Sequence, residues 1–121
     1  MASVSDVRAL TISDENAAST TRIAAAARPT AAFTLANTTH ANGTARNVTV
    51  TTTGTGDNAK TVTVVGTDVF GDSLTEVITS TSSAETVAGS SLFLTVASAT
   101  CSAQYAANVS VGTGSICAQA V

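Results

Sequence analysis

Residues 46–66 read RNVTVTTTGTGDNAKTVTVVG, and this stretch decides the fold. Val48 and Val50 alternate with polar residues, so hydrophobic and polar side chains fall on opposite faces of an extended chain. A second valine-rich run, at residues 61–66, follows a segment of Gly, Asp and Asn, which are the residues that tight turns require. The stretch therefore predicts two β-strands, each with one buried face, joined by a turn.

The same alternation of threonine and valine begins at Ala31 and continues toward the C-terminus. Segments 54–58, 68–72 and 88–90 interrupt it with Gly, Asp or Asn and are predicted to be turns. About seven short strands with no long helical period favour an all-β fold, a single small β-sandwich of immunoglobulin-like or jelly-roll-like type. The candidate strands are Ala32–Ala36, Arg46–Thr53, Thr61–Gly66, Ser73–Ser80, Ser91–Ala97, Ala106–Gly112 and Ser115–Ala120.

Residues 1–30 differ in kind from the rest, because they are rich in alanine and hold three of the five basic residues. A short helix is predicted from Asp14, an acceptable N-cap, through Ala24–Ala27, and Pro29 ends it. We therefore divide the chain into an extended N-terminal arm, residues 1–30, and a β-sandwich domain, residues 31–121. The sandwich is expected to fold without the arm.

The chain carries few charges, since only 11% of its 121 residues are charged and the net charge is −3. It has no run of basic residues for nucleic acid and no apolar stretch of the roughly 20 residues that a membrane span needs. Residues 1–10 lack the pattern of a secretory signal, so we expect synthesis in the cytoplasm. A polar, neutral surface suits a homo-oligomer packed against its neighbours. The expected aromatic core is Phe33, Phe70, Phe93 and Tyr105.

Catalytic chemistry has little support in the sequence. The one imidazole, His40, lies in a predicted loop, and no serine has the Gly-x-Ser-x-Gly context of a nucleophile. Asp68, Asp72 and Glu76 are close in sequence but lack an aromatic platform for a sugar, and Asp57, Asp68 and Asp72 do not match an EF-hand loop. We predict no enzyme, no cofactor and no metal site, and leave a bound Ca²⁺ open.

The two cysteines, Cys101 and Cys117, are too few for a four-ligand metal site with a single histidine. Reduced, buried thiols are the favoured interpretation in a protein made in the cytoplasm. A disulfide between them remains open at this point.

Four stretches of the sequence resemble a known family. They are VGTDVFGDSLTEVI at residues 65–78, VAG and FLTV at residues 87–89 and 93–96, and VSVGTG at residues 109–114. Together they resemble small β-sandwich virion proteins of tailed bacteriophages, some of which are capsid decoration, or cement, proteins. The resemblance covers roughly residues 46–114, and neither cysteine belongs to the pattern.

The resemblance implies a structural protein on the outside of a phage capsid, which it stabilises as a cement protein. Its partner would be the major capsid protein, its place the capsid surface of the virion, and its state a homo-oligomer, either a trimer or a dimer. In this interpretation the sandwich straddles joints between capsid subunits and the arm orders along the surface. The residues expected to contact the capsid are Val7, Arg8, Leu10, Ile12, Arg22 and Arg28.

Two alternatives stay open. The first is a tail, baseplate or neck component of the virion, since ring-forming proteins use similar domains. The second is a carbohydrate-binding or adhesion module, although exposed aromatic residues for stacking on sugars are scarce in this sequence.

Overall fold

The computed structural model describes residues 18–39 and 44–119. Within these ranges the chain forms seven strands and no helix, so the predicted all-β class is confirmed. The strands are β1 (Ser19–Ala27), β2 (Thr44–Thr52), β3 (Thr61–Thr67), β4 (Ser73–Thr79), β5 (Thr86–Phe93), β6 (Thr95–Cys101) and β7 (Val109–Gln119).

The strands form two antiparallel sheets, as a β-sandwich requires. One sheet has four strands in the order β1-β7-β2-β5, and the other has three in the order β4-β3-β6. Their facing sides enclose a core to which both sheets contribute. The predicted alternation of burial is found in β3, whereas in β2 it is wrong, because Asn47 and Thr49 are buried as well as the valines. The fully buried side chains of this core include Val48, Val50, Val62, Val64 and Phe93.

The predicted helix through Ala24–Ala27 is wrong, because these residues belong to β1. This strand pairs with β7, and its residues Ile23 and Ala24 are buried in the core. Helix propensity is a weak prior, and here the pairing offered by β7 overrides it. A strand of the sheet thus lies within the segment that the sequence analysis assigned to the arm.

The predicted strand Ala32–Ala36 is also wrong. Ala32 makes an isolated bridge with Thr100, and Phe33 donates its backbone N–H to Ala99 O at 2.9 Å. The segment therefore lies along the edge of β6 and covers it without forming a regular ladder.

Two regions of the chain differ from the predicted strands and turns. The run Ser91–Ala97 contains the end of β5, the single residue Leu94 and the start of β6. Residues 88–90, predicted as a turn, lie inside β5, and the described part of residues 106–120, predicted as two strands, contains only β7. Glycines misled the prediction, because in both places they mark irregular pairing inside a strand and not its end.

The irregular pairing is centred on β2, whose two neighbours both bulge beside it. Between Asn47 and Thr49, β5 advances from Leu92 to Ala88, so β5 has two more residues than β2 in this interval. The pairing of β2 with β7 shifts in the same way around Asn47. The middle of the four-stranded sheet is therefore held between two bulges.

Truncation should distinguish the two parts of the N-terminal segment. Removing residues 1–17 is expected to preserve the sandwich, since β1 begins at Ser19, whereas removing residues 1–30 deletes β1 and the buried Ile23. Loss of one buried isoleucine side chain alone costs about 2–5 kcal/mol, so the longer truncation should lower the free energy of unfolding by more than this. Urea unfolding followed by circular dichroism measures both, and equal midpoints for the two truncated chains would contradict the role of β1.

Candidate interaction surfaces

The outer side of the three-stranded sheet is a surface of short, uncharged side chains. Thr67 Oγ1 of β3 and Thr95 Oγ1 of β6 share a hydrogen bond of 2.7 Å. Val65 and Val77 lie among the hydroxyl groups and are 37% and 56% exposed. We call this surface the threonine face, and it consists of Thr61, Thr63, Val65, Thr67, Ser73, Thr75, Val77, Thr79, Thr95, Ser98 and Thr100.

Charged residues of the described ranges lie around this face, not on it. Asp68 and Asp72 are in the loop between β3 and β4, while Lys60 and Glu85 are in loops at the other end of the sandwich. Arg46 is buried in β2 and donates from Nη1 to Gly114 O at 3.0 Å. The outer side of the three-stranded sheet is therefore neutral among the described residues.

The loop between β3 and β4 presents an exposed aromatic residue, Phe70, at its tip. Its side chain is 79% exposed, so the prediction that Phe70 belongs to the core is wrong. Asp68 Oδ1 accepts hydrogen bonds from the backbone N–H of Phe70 at 2.8 Å and of Asp72 at 3.0 Å. Gly71 has a φ of 86°, which a residue with a side chain rarely adopts. The loop thus holds Phe70 outward on a fixed turn, a geometry to which its sequence position between turn-forming residues already pointed.

A cleft of about 490 Å³ lies between the last residues of β1 and the segment that covers the edge of β6. Phe33, which is buried, and Leu35, which is half-buried, line it together with the alanines of both segments. Arg28 lies at the same cleft. It is an apolar opening at the side of the sandwich with a cation beside it.

The arginines expected to contact a capsid have different positions. Arg22 lies on β1, where its backbone carbonyl accepts a hydrogen bond from Asn37 Nδ2 at 2.7 Å. Arg28 follows β1 and donates from Nε to Tyr105 O at 3.0 Å. Both arginines therefore belong to the sandwich edge. The other four expected contact residues, Val7, Arg8, Leu10 and Ile12, lie outside the described residues, as does His40.

Asp57 is the centre of a buried polar cluster at the loop end of the sandwich. Its Oδ1 accepts hydrogen bonds from Lys60 Nζ at 2.9 Å and from the backbone N–H of Ala106 at 2.7 Å. Burial raises the pKa of the Asp57 carboxyl, but the hydrogen bonds and the charge of Lys60 outweigh it, so the pKa lies below its usual value of 3.8. The carboxylate links the loop before β3 to the loop before β7 and is not exposed to solvent.

Tyr105 extends the same cluster into the core. The side chain is fully buried, and its hydroxyl shares a hydrogen bond of 2.9 Å with Ser80 Oγ. Burial raises the pKa of the Tyr105 hydroxyl, although the hydrogen bond with Ser80 opposes this effect. Lys60 Nζ lies 5.6 Å from the centre of the Tyr105 ring, within the range of a cation–π interaction. The cluster is thus a structural part of the domain, because its polar groups bond to one another and to the backbone.

Asn47 connects the two bulges that flank β2. Its Nδ2 donates to Gly89 O of β5 at 3.0 Å, and its Oδ1 accepts the backbone N–H of Ile116 of β7 at 3.1 Å. A Cβ at Gly114 would overlap the Asn47 amide, so a residue without a side chain is needed there. One buried amide thus satisfies backbone groups that the bulges leave unpaired.

Glu76 supports the β5 bulge from the opposite sheet. Its Oε1 accepts hydrogen bonds from the backbone N–H of Ser90 at 2.7 Å and of Ser91 at 3.3 Å. A Cβ at Gly89 would overlap this carboxylate. Glu76 therefore joins the two sheets through backbone amides, as an acceptor within the fold.

The carboxylates considered for calcium do not converge. Asp57 binds Lys60, whereas Asp68 caps its own turn together with Asp72 at the opposite end of the sandwich. In residues 18–39 and 44–119 there is no group of three His, Cys, Asp or Glu side chains placed to hold a metal ion.

The cysteines are both free, so the disulfide left open above is not formed. Cys101 is buried and its Sγ donates to Ala31 O at 3.0 Å, while Cys117 is exposed on β7. Of the two thiols expected to be buried, only Cys101 is.

Comparison with known proteins gives no relative for this chain. It matches no family model, no curated protein and no solved structure. A search of the described part of the chain finds no helix with the length and hydrophobicity of a membrane span. The class that the structure defines is thus that of its fold, a small all-β sandwich of one four-stranded and one three-stranded sheet.

Replacing Asn47 tests the role of its amide. Asn47→Ala leaves Gly89 O and the Ile116 N–H without their partner; a fully buried group would cost about 1–3 kcal/mol, and these part-buried groups cost less. We expect the free energy of unfolding in urea to fall by roughly 1–3 kcal/mol. Asn58→Ala, in an exposed turn, is the control and should change it by less than about 0.5 kcal/mol. Similar values for the two variants would remove Asn47 from this role.

The acid stability of the protein should depend on Asp57. Since the pKa of Asp57 is lowered by folding, its stabilising contribution is present above the usual value of 3.8 and is lost as the pH falls through the folded value. Asp57→Asn should therefore lose less stability than the wild type when urea unfolding is repeated from pH 6 to about pH 2.5. Parallel pH profiles of the two proteins would show that Asp57 is not the group responsible.

Proposed function

We propose that this chain is a structural virion protein that binds the outside of a bacteriophage capsid and stabilises it, with the threonine face against the major capsid protein. The observation that carries the proposal is the neutral character of that face, which none of the charged residues named above interrupts. The resemblance of residues 46–114 to small phage virion proteins agrees with this use of the sandwich. The proposed location is the capsid surface of the virion.

The chemistry of the threonine face suits a contact between proteins. Removing it from water transfers no charged group, so the large desolvation penalty of buried charges does not arise. The hydroxyl groups can exchange water for backbone partners, and the methyl groups of Val65 and Val77 gain from burial. Threonine and valine are also stiff at χ1, so little side-chain entropy is lost when a partner covers them.

The size of the face indicates that it acts together with other contacts. At about 4.8 Å between strands and 3.3 Å per residue, three strands of this length cover roughly 330 Å². A stable interface buries about 800 Å² on each partner. In a dimer or a trimer the contact would be repeated around a symmetric shell, and this repetition would supply the missing binding strength through avidity.

The N-terminal arm is the proposed second contact. Its hydrophobic residues Val7, Leu10 and Ile12 and the basic Arg8 precede β1, so they can extend from the sandwich along a capsid. Arg22 and Arg28 would act from the sandwich edge, at the side where the arm joins β1.

Co-sedimentation with capsids stripped of accessory proteins tests the threonine face. Val77→Asp places a charge in the middle of it, and burying that charge should weaken binding at least tenfold. The matched control is Ala88→Asp, an exposed strand position of the other sheet, which should bind like the wild type. Urea unfolding of both variants verifies that each is folded.

Three results would count against the proposal. The first is the absence of saturable binding by the wild type, and the second is equal binding by the two variants. The third is recovery of the protein only from the tail or neck fractions of intact particles, which would favour the tail alternative.

A further inference from the structure

We propose that Phe70 of one copy inserts into the cleft beside β1 of a second copy, so that chains associate head to tail. The two features lie on different parts of the same molecule. The cleft is large enough for the ring, and the two features are complementary in polarity and charge. This association concerns the purified chain alone and does not depend on the capsid proposal.

The side chain of Phe70, which we call the knob of the contact, is already held in position in a single chain. Phe70 stands at the tip of a two-strand hairpin, 79% exposed, on a turn that Asp68 closes through two backbone hydrogen bonds. Because the loop is fixed before binding, little conformational entropy is lost when the ring is buried. Exposed aromatic side chains on such loops are the residue type that dominates binding energy at protein interfaces.

The cleft has the size and lining that a phenyl ring needs. Its volume is about 490 Å³, and an apolar cavity of about 150 Å³ already accommodates benzene in other proteins. The lining residues Phe33 and Leu35 offer apolar contacts, and the alanines beside them have small side chains that leave room for a ring.

The charges around the two features have opposite signs. Asp72, exposed, lies two residues after Phe70, whereas Arg28, exposed, lies at the cleft. The Nε of Arg28 already donates to Tyr105 O, but a guanidinium has five N–H donors, so others can reach a carboxylate. Insertion of Phe70 would bring these two charges near each other at the rim.

A chain cannot fill its own cleft with its own Phe70. The hairpin that carries Phe70 joins β3 and β4, whereas the cleft lies beyond β6, at the other edge of the three-stranded sheet. A contact between two different surfaces of identical chains is heterologous, and it produces a ring when the rotation closes and a filament when it does not.

Sedimentation velocity over a concentration series tests the contact with two complementary variants. Phe70→Ser removes the knob, and Ala26→Trp, at an exposed position of β1, fills the cleft. Each variant alone should associate at least tenfold more weakly than the wild type. Mixed together they retain one intact contact, Phe70 of the Ala26→Trp chain in the open cleft of the Phe70→Ser chain, so the mixture should form dimers of one copy each.

Ile116→Ser is the control for loss of an exposed hydrophobic residue elsewhere, since Ile116 is 56% exposed on β7, and it should associate like the wild type. Urea unfolding shows whether each variant is folded, and Phe70→Ala and Ala25→Trp repeat the pair if one is not. A wild type that stays monomeric at every concentration, or a mixture no more associated than its components, would overturn the inference. So would equal weakening by Ile116→Ser, because the association would then not depend on Phe70 in particular.

Discussion

The side-chain amide of Asn47 is the interaction on which the four-stranded sheet depends. It joins backbone groups of β5 and β7 across the central strand, at the level where both neighbours bulge. Two bulges side by side would otherwise leave buried donors and acceptors without partners, at a cost of several kcal/mol. The bulges in turn require Gly89 and Gly114, because a side chain at either position would occupy the space of a polar group that supports them.

The use of charged side chains to support the fold explains why the threonine face is neutral. Charged groups are used inside the fold or at its ends: Glu76 holds the β5 bulge, Asp57 fastens two loops, and Arg46 donates to the backbone of β7. A domain with few charges that uses several of them for support has few left for its surface. Threonine and valine, which the strands favour in any case, then form the exposed side of the three-stranded sheet. The proposed contact surface is therefore a consequence of the use of charged side chains as hydrogen-bond partners for backbone groups inside the fold.

Sequence patterns predicted the class of fold and most strands but not the features that depend on distant partners. Alternation of Val and Thr identified β2 and β3, although only β3 shows the alternation of burial and β2 is buried on both faces. β1 was missed because its pattern of alanines indicates a helix until β7 is known to pair with it. Gly89 inside β5 was interpreted as part of a turn, since a bulge and a turn have the same local composition. Phe70 was assigned to the core by its hydrophobicity, although Asp68 and Gly71 on either side of it are turn residues.

The position of β7 in the sheet has a consequence for how the protein is made. It is the last of the described strands, yet it lies between β1 and β2 and is the strand with which β1 pairs. Until β7 has been synthesised, a nascent chain therefore holds β1 and β2 without the strand that joins them. The four-stranded sheet can close only after β7 is available, so the edges of β1 and β2 stay unpaired until then. The closing of this sheet is thereby coupled by topology to the synthesis of β7.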